Sequence, residues 1–276
     1  MKKNEESGES DAGIENTDEV SQEKPKNVPR TVENTLNRLL PEVDSDDEEL
    51  FKQQQNDEFA ERYSENYEPK ILFTSTEDHV SKTTMLFLKE ITMVIPNCEF
   101  LLRKGKTLSD VREFALKNAY TDVIIVMQRH KKPYGLTISH LPKGPTSFFH
   151  LSGIKLAQDI PNSVSMTTHN PEVITKNFKS FVARRAARQL ESLFVSNEEH
   201  AGRRVIVFQN QRDFIFFRHY RYVFINEGEN ASLAEIGPRF TLKLRSIQKG
   251  FLELKTGEYE FKISGKERKS KRDVFF

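Results

Sequence analysis

Two stretches of this chain carry residue types and spacings suited to handling phosphates and bases. The first is Ile236-Gly237-Pro238-Arg239-Phe240-Thr241-Leu242-Lys243-Leu244-Arg245-Ser246-Ile247-Gln248-Lys249-Gly250. Gly-Pro opens it and Gly closes it, so it reads as one strand punctuated by turns. Alternation puts Phe240, Leu242 and Leu244 on one face and Arg239, Thr241, Lys243 and Arg245 on the other. Same-face side chains on a strand repeat every ~6.6 Å, twice the ~3.3 Å rise. A strand that packs with one face and lines up cations on the other suits a phosphate backbone. The phase breaks after Arg245, because Ile247 falls on the cationic side. A bend or bulge near Ser246 would restore it, and it leaves Gln248 and Lys249 as weaker contacts than Lys243 and Arg245. The same pattern also fits an ordinary half-exposed strand whose Lys and Arg are simply its solvated side.

The second stretch, Asn210-Gln211-Arg212-Asp213-Phe214-Ile215-Phe216-Phe217-Arg218-His219-Tyr220-Arg221-Tyr222, interleaves rings with cations. Rings can stack on bases while Arg and Lys bind phosphates. Phe214, Phe216 and Phe217 read as sheet core, which leaves Arg212, Arg218 and Arg221 as the contacts. A basic run, Lys266-Glu267-Arg268-Lys269-Ser270-Lys271-Arg272, reads as a nuclear signal, an RNA-binding arm, or both.

Enzymatic chemistry finds little footing. The sequence has no Gly-x-x-x-x-Gly-Lys-Ser/Thr phosphate loop, no Gly-x-Gly-x-x-Gly turn and no Gly-x-Ser-x-Gly elbow. Its 7 histidines are scattered without metal-ligand spacing. His140 and His150 flank the turn at Gly144-Pro145 and could approach each other across a hairpin. Cys98, the single cysteine, has no nucleophile context and excludes an internal disulfide or a cysteine zinc site. No catalytic residue, metal, cofactor or small-molecule substrate is expected.

Charge is distributed unevenly along the 276 residues, whose net is +1. Residues 1–68 hold 8 Lys/Arg against 20 Asp/Glu, which leaves 34 against 21 of the totals 42 and 41 for the rest. An acidic tail on a basic body points to an anionic partner. Residues 1–30, nearly free of large apolar side chains, read as disordered. Val32, Leu36, Leu39 and Leu40 then recur at helical spacing up to Pro41, and residues 57–63 read as a second weak helix. Ser45, inside Asp44-Ser45-Asp46-Asp47-Glu48-Glu49, fits either an acidophilic kinase site or a merely solvated run. No apolar run approaches the ~20 residues of a membrane span, and a soluble, intracellular protein is expected.

The elements that must position the two stretches follow from Pro69 onward. Residues 70–75 read as a buried strand, 81–94 as a helix, 99–102 as a short strand, and Thr107 caps a second helix. The continuous apolar run Asp122-Val123-Ile124-Ile125-Val126-Met127 reads as a central strand covered on both faces. Strands 135–141 and 146–151 flank the turn Pro142-Lys143-Gly144-Pro145. Beyond Pro171, Ile174, Phe178, Phe181, Val182, Leu190 and Leu193 read as a helix to about Phe194, with Lys176, Lys179, Arg184, Arg185 and Arg188 largely off its stripe. Strands 205–208, 213–217, 220–225 and 258–263 complete an α/β chain with mixed sheets. An internal echo links residues 121–126 with 212–217, and Gly144-Pro145 with Gly237-Pro238, at nearly equal offsets. It points to two related halves.

Together these residues resemble the Brix-domain proteins of ribosome assembly. The opening strand, 236–250, is similar to that family's sigma-factor-like motif. Pro69-Lys70-Ile71-Leu72-Phe73-Thr74-Ser75, Ile138-Ser139-His140-Leu141-Pro142-Lys143-Gly144-Pro145-Thr146 and Phe208-Gln209-Asn210-Gln211-Arg212-Asp213 match other landmarks of it. Pro29-Arg30-Thr31-Val32-Glu33-Asn34-Thr35 and Asp57-Glu58-Phe59-Ala60 resemble the tail of a large-subunit (60S) member, whereas the small-subunit processome paralogue usually departs at Thr241-Leu242-Lys243-Leu244-Arg245-Ser246. The resemblance implies a domain over 69–263 made of two similar α/β halves, about 69–170 and 171–263. An acidic tail, 1–68, would precede it and a basic tail, 264–276, would follow. It further implies a non-enzymatic factor in a nuclear, nucleolar setting. Its partners would be pre-rRNA, pre-60S assembly factors including a dedicated protein partner, and ribosomal proteins. The RNA contacts would be Arg239, Lys243, Arg245, Lys249, Arg212, Arg218 and Arg221. A protein-docking scaffold within pre-ribosomes, or a small-subunit processome member of the same family, is the alternative.

Overall fold

The computed structural model describes residues 29, 31, 35–43, 52, 56–63, 67–195, 203–225, 230–251, 257–263, 270 and 272–276. The chain divides into units 1–35 and 36–276. In the first, Thr35 Oγ1 donates to the Thr31 carbonyl (3.1 Å).

In chain order the elements of the second unit are β1 (Asn37–Arg38), β2 (Ile71–Ser75), α1 (Lys82–Val94), β3 (Cys98–Phe100), α2 (Leu108–Lys117), β4 (Asp122–Arg129), β5 (Lys132–His140) and β6 (Thr146–Lys155). After them come β7 (Glu172–Lys176), α3 (Phe181–Glu191), β8 (Arg204–Gln211), β9 (Phe214–Ile225), β10 (Asn230–Glu235), β11 (Arg239–Gln248), β12 (Tyr259–Lys262) and β13 (Asp273–Val274). Each long helix starts on a side-chain cap that accepts one of its unsatisfied first-turn N–H groups. Ser81 Oγ accepts from Thr84 N, Ser180 Oγ accepts from Ala183 N, and Thr107 forms a reciprocal capping box with Asp110.

The main sheet has the order β3-β2-β4-β5-β6-β11-β9-β8-β7, with β10 added to β9 and β12 to β11. Beyond β3 it reads the same from both ends. β2 runs parallel to β4, and β4, β5 and β6 then alternate; β7 runs parallel to β8, and β8, β9 and β11 alternate. The two series meet where β6 and β11 pair antiparallel. Gly144-Pro145 and Gly237-Pro238 are equivalent turns into those two strands. Both glycines have positive φ, 94° and 84°, and neither has room for a side chain. A Cβ on Gly144 would lie 2.6 Å from the Gly250 backbone, and one on Gly237 would lie 2.8 Å from Ile160 Cδ1. The other half of the echo is out of register. Asp122 opens β4, but Asp213 sits in the turn between β8 and β9, and the counterpart of β4 is β8.

One face of the sheet packs on α1 and α3 together. Phe87, Leu88, Ile91 and Val94 of α1 and Ala183, Ala186 and Leu190 of α3 join Ile124, Ile138, Phe149, Phe217, Phe240 and Leu242 in one core. Each large side chain buried there contributes about 1.5–3 kcal/mol. The opposite face is covered in the first half, where Val111 and Ala115 of α2 pack on Leu72, Val123 and Ile125. Among the described residues no helix covers that face in the second half.

Three expectations change. Residues 172–176 form a strand, not the start of a helix; the β-branched Val173, Ile174 and Thr175 fit a parallel edge, and the helix waits for the Ser180 cap. Asn37 and Arg38, expected in a helix, pair with Asp273 and Val274. Both segments outside 69–263 also send residues into the body. Phe59 is 1% exposed, and Phe275 and Phe276 are buried in the main core, where Asp213 Oδ1 accepts from both their N–H groups. Ser45 and most of the basic run 266–272 lie outside the described residues. No described helix is long and apolar enough to cross a membrane.

Candidate nucleic-acid interface

β11 alternates as its sequence predicts. Phe240, Leu242 and Leu244 enter the core, and the Phe217 and Phe240 rings stack 4.3 Å apart at 8°. Against β6 the register shifts between Leu244 and Ser246. Arg245 is therefore the extra residue of a bulge, exposed, and Ile247 regains the core.

The cationic face of β11 looks onto the uncovered side of the sheet. Lys243 is largely buried there; its Nζ lies 4.5 Å from the centroid of the Phe214 ring. Across the ladder Lys243 stands opposite His150 of β6. Burial, then the charges of Arg245 and Lys243, hold the His150 imidazole below its ordinary value. Positive potential is thus concentrated where β6 and β11 join.

The other predicted contacts are dispersed. Arg218 of β9 faces the same side, its guanidinium 5.6 Å from the Phe216 ring and its Nη1 donating to the Phe217 carbonyl. Arg212 is exposed in the two-residue turn between β8 and β9, where it and Asp213 both have positive φ, 53° and 66°. Arg239 is held by Glu235 at 3.3 Å. Lys249 lies past the end of β11, 3.0 Å from Glu258. Arg221 alternates onto the opposite face, with Arg204 across the ladder. The fold therefore brings Lys243 and Arg245 together, with Arg212 at the hairpin tip beside Phe214, leaves Arg218 further along the same face, and sets Arg221 and Lys249 apart.

Sequence reasoning missed part of this surface. Phe217 is core, as expected, but Phe214 is 39% exposed and Phe216 is half-buried on the open face. The period of two along β9 carries that signal, although coverage of the face depends on α2 having no counterpart among the described residues of the second half. His140 and His150 do not meet: His140 pairs with Asp122, and His150 pairs with Gly135 and Lys243 on the other face. The cationic residues of α3 are used internally, since Arg185 bonds Glu58 and Glu260 and Arg188 bonds Asp57. Burial pushes the Cys98 thiol far above its ordinary range, which keeps it from being a thiolate nucleophile. Among the described residues no group of three His, Cys, Asp or Glu is placed to hold a metal ion.

A family model described as the Brix domain matches residues 77–246. A Drosophila melanogaster protein named "Probable ribosome production factor 1" is 42% identical over 247 residues, 88% of this chain and 62% of its own length. "Ribosome production factor 1" of Pongo abelii is 39% identical over 252 residues, covering 91% of this chain and 72% of that protein. A Brix domain-containing protein of Schizosaccharomyces pombe is 36% identical over 256 residues, 90% and 83% of the two chains. The chain thus spans less than two thirds of the fly relative. The crystal structure of a probable ribosomal biogenesis protein from Aeropyrum pernix K1 superposes with a TM-score of 0.49 at 16% identity, covering 64% of this chain and 96% of that one.

Proposed function

This chain belongs to the Brix-domain family, and from that premise we propose that it is a non-enzymatic ribosome-biogenesis factor that binds pre-rRNA during maturation of the large subunit. Its relatives named as ribosome production factors support the assembly role. The tail pattern around Asp57-Glu58-Phe59-Ala60 supports the large-subunit assignment and with it a nucleolar address. Its body is taken as residues 69–263, and its partners as pre-rRNA, ribosomal proteins and pre-60S assembly factors.

The observation that carries RNA binding is the joint of β6 and β11, where Lys243 stands opposite His150 and Arg245 is exposed on the bulge, on a sheet face that no described helix covers. Such a concentration of charge favours phosphate. The test is the affinity of the full chain for pre-rRNA fragments after Arg245→Glu with Lys243→Gln, the latter kept neutral because Lys243 is 9% exposed. Binding should weaken at least tenfold with the unfolding midpoint retained. If four cations meet single-stranded phosphates, the log–log salt slope should be about −3. Unchanged affinity in a folded double variant removes these residues from the interface.

Protein docking is the second reading. It is favoured by a cleft of about 420 Å³ beside α2, lined by Leu101, Leu102, Val111 and Phe114 and rimmed by Arg103 and Lys117. Crosslinks confined to that cleft, with none to RNA in residues 210–250, would favour it.

A further inference from the structure

The outward positions of β9 are Phe214, Phe216, Arg218, Tyr220, Tyr222 and Phe224, so every one carries a ring or a guanidinium. Of the intervening residues, Ile215, Phe217 and His219 are buried at 0%, 2% and 0% exposure, whereas Arg221 and Val223, where the strand runs past the core, are exposed. None of the six outward residues is buried, and Phe224 is 58% exposed. No described helix covers these five rings, and contiguous exposed apolar surface marks a binding site. The equivalent strand of the first half makes the contrast. Outward on β5 stand Gly135, Thr137 and Ser139, small residues buried on the face where α2 packs.

We propose that the outward face of β9 is a stacking platform for single-stranded RNA, one base to a ring. This rests on the RNA-binding reading above and names the class of RNA. The Tyr222 and Phe224 rings meet edge to face with centroids 5.3 Å apart, and same-face positions repeat every ~6.6 Å along the strand. That is nearly double the ~3.4 Å rise per nucleotide along one strand of a duplex. Bases that remain stacked on each other cannot address successive rings, whereas the splayed bases of a single strand can. A π-face serves every base, so recognition tolerates sequence. Arg218 continues the row, because bases also stack on guanidinium planes. Lys243 beside Phe214 and Arg212 in the adjoining turn place cations where the phosphates of such a strand run. These charges favour a polyanion over an apolar protein segment as the occupant.

The experiment uses the full chain and a labelled RNA dodecamer, alone and annealed to its complement, with anisotropy as the readout. The single strand should bind about tenfold or more tighter than the duplex. Tyr220→Ala and Phe224→Ala should each lose about 5- to 150-fold in single-strand affinity while duplex binding holds. Tyr220→Phe should retain it. Unfolding midpoints are measured alongside, and Phe224, the most exposed ring, decides if Tyr220→Ala destabilises the chain. Equal affinity for duplex, or folded alanine variants that bind normally, overturns the platform and leaves RNA binding to the cations. Failure of the wild type to bind either form overturns the RNA reading itself.

Discussion

His140 and His219 occupy the same position in the two halves of the sheet, and their surroundings shift the two imidazoles in opposite directions. Ser147 and Phe240, each three residues beyond a Gly-Pro glycine, pair with Ile138 and Phe217, and each histidine follows two residues later. Burial opposes charge on both. At His140 it is outweighed by the hydrogen bond and charge of buried Asp122, 2.9 Å away, and by Glu58, and the pKa rises. At His219 the partner is only the Gly237 carbonyl, at 2.8 Å, and Arg204 adds repulsion, so the pKa falls to about 4.

Opposite pH dependences follow. His219 is neutral in the fold but charges in the unfolded chain below its ordinary ~6.5. Stability is therefore lost as pH falls from about 6.5 toward 4, by up to about 3 kcal/mol. His140 acts in the other direction. Its contribution is complete below ~6.5 and is lost as pH rises through its raised folded value. Urea unfolding between pH 4.5 and about 8 should show the acid-side loss abolished in His219→Gln and the alkaline-side loss abolished in His140→Gln. Parallel wild-type and variant curves would contradict both assignments.

Much of this fold was legible because its strands alternate cleanly and its turns carry Gly-Pro. The β11 alternation and the bulge beside Ser246 could be read from the phase of Phe240, Leu242, Leu244 and Ile247 alone. β7 was misread because Ile174, Phe178 and Phe181 happen to share helical spacing, and a parallel edge strand of five residues has little periodicity of its own. Phe275 and Phe276 follow a basic run and look like a tail; only Asp213, distant in sequence, reveals their anchorage. At the candidate interface the sequence identified cations and rings but not which face stays open. That depends on α2 lacking a counterpart among the described residues, which is a property of the whole sheet.

The segment 57–63 is a strap on α3, and removing its anchors should destabilise the body. Arg188 donates from Nε and Nη2 to Asp57 at 2.7 Å each, with both side chains nearly buried. The Phe59 ring sits 5.1 Å from that of His140. Phe59→Ala should cost about 3 kcal/mol. Asp57→Asn should cost a similar ~3 kcal/mol, because it strands a nearly buried guanidinium. Urea midpoints measure both, and limited proteolysis should cut earlier within 57–63. A Phe59→Ala midpoint equal to wild type would show that the strap adds nothing to the body.

Glycine is required to different degrees at two turns. Gly144→Ala meets both a positive φ of 94° and backbone atoms of Gly250 at 2.6 Å, and should cost about 3 kcal/mol or more. Gly105 has a similar φ of 77° but nothing within 4 Å, so Gly105→Ala should cost only about 1 kcal/mol. Thermal or urea midpoints rank the two variants, and equal losses would mean that the approach of Gly250 is not what restricts residue 144.

His150 reports on the interface without touching its charge count. Its imidazole is held down by burial and then by Arg245 and Lys243, so each cation neutralised should let it rise toward its ordinary value. An NMR titration of Arg245→Gln, and separately of Lys243→Gln, should therefore show an upward shift relative to wild type. Bound RNA should act in the same direction, because a phosphate seated between these cations compensates the repulsion that His150 feels. The RNA-induced rise should shrink in the Arg245→Gln variant, where one of the charges that attracts phosphate is gone. If RNA binds tightly and the His150 titration stays where it was, the phosphates lie elsewhere and the joint of β6 and β11 is not the site. The measurement thus locates the ligand on the sheet, which an affinity loss alone does not.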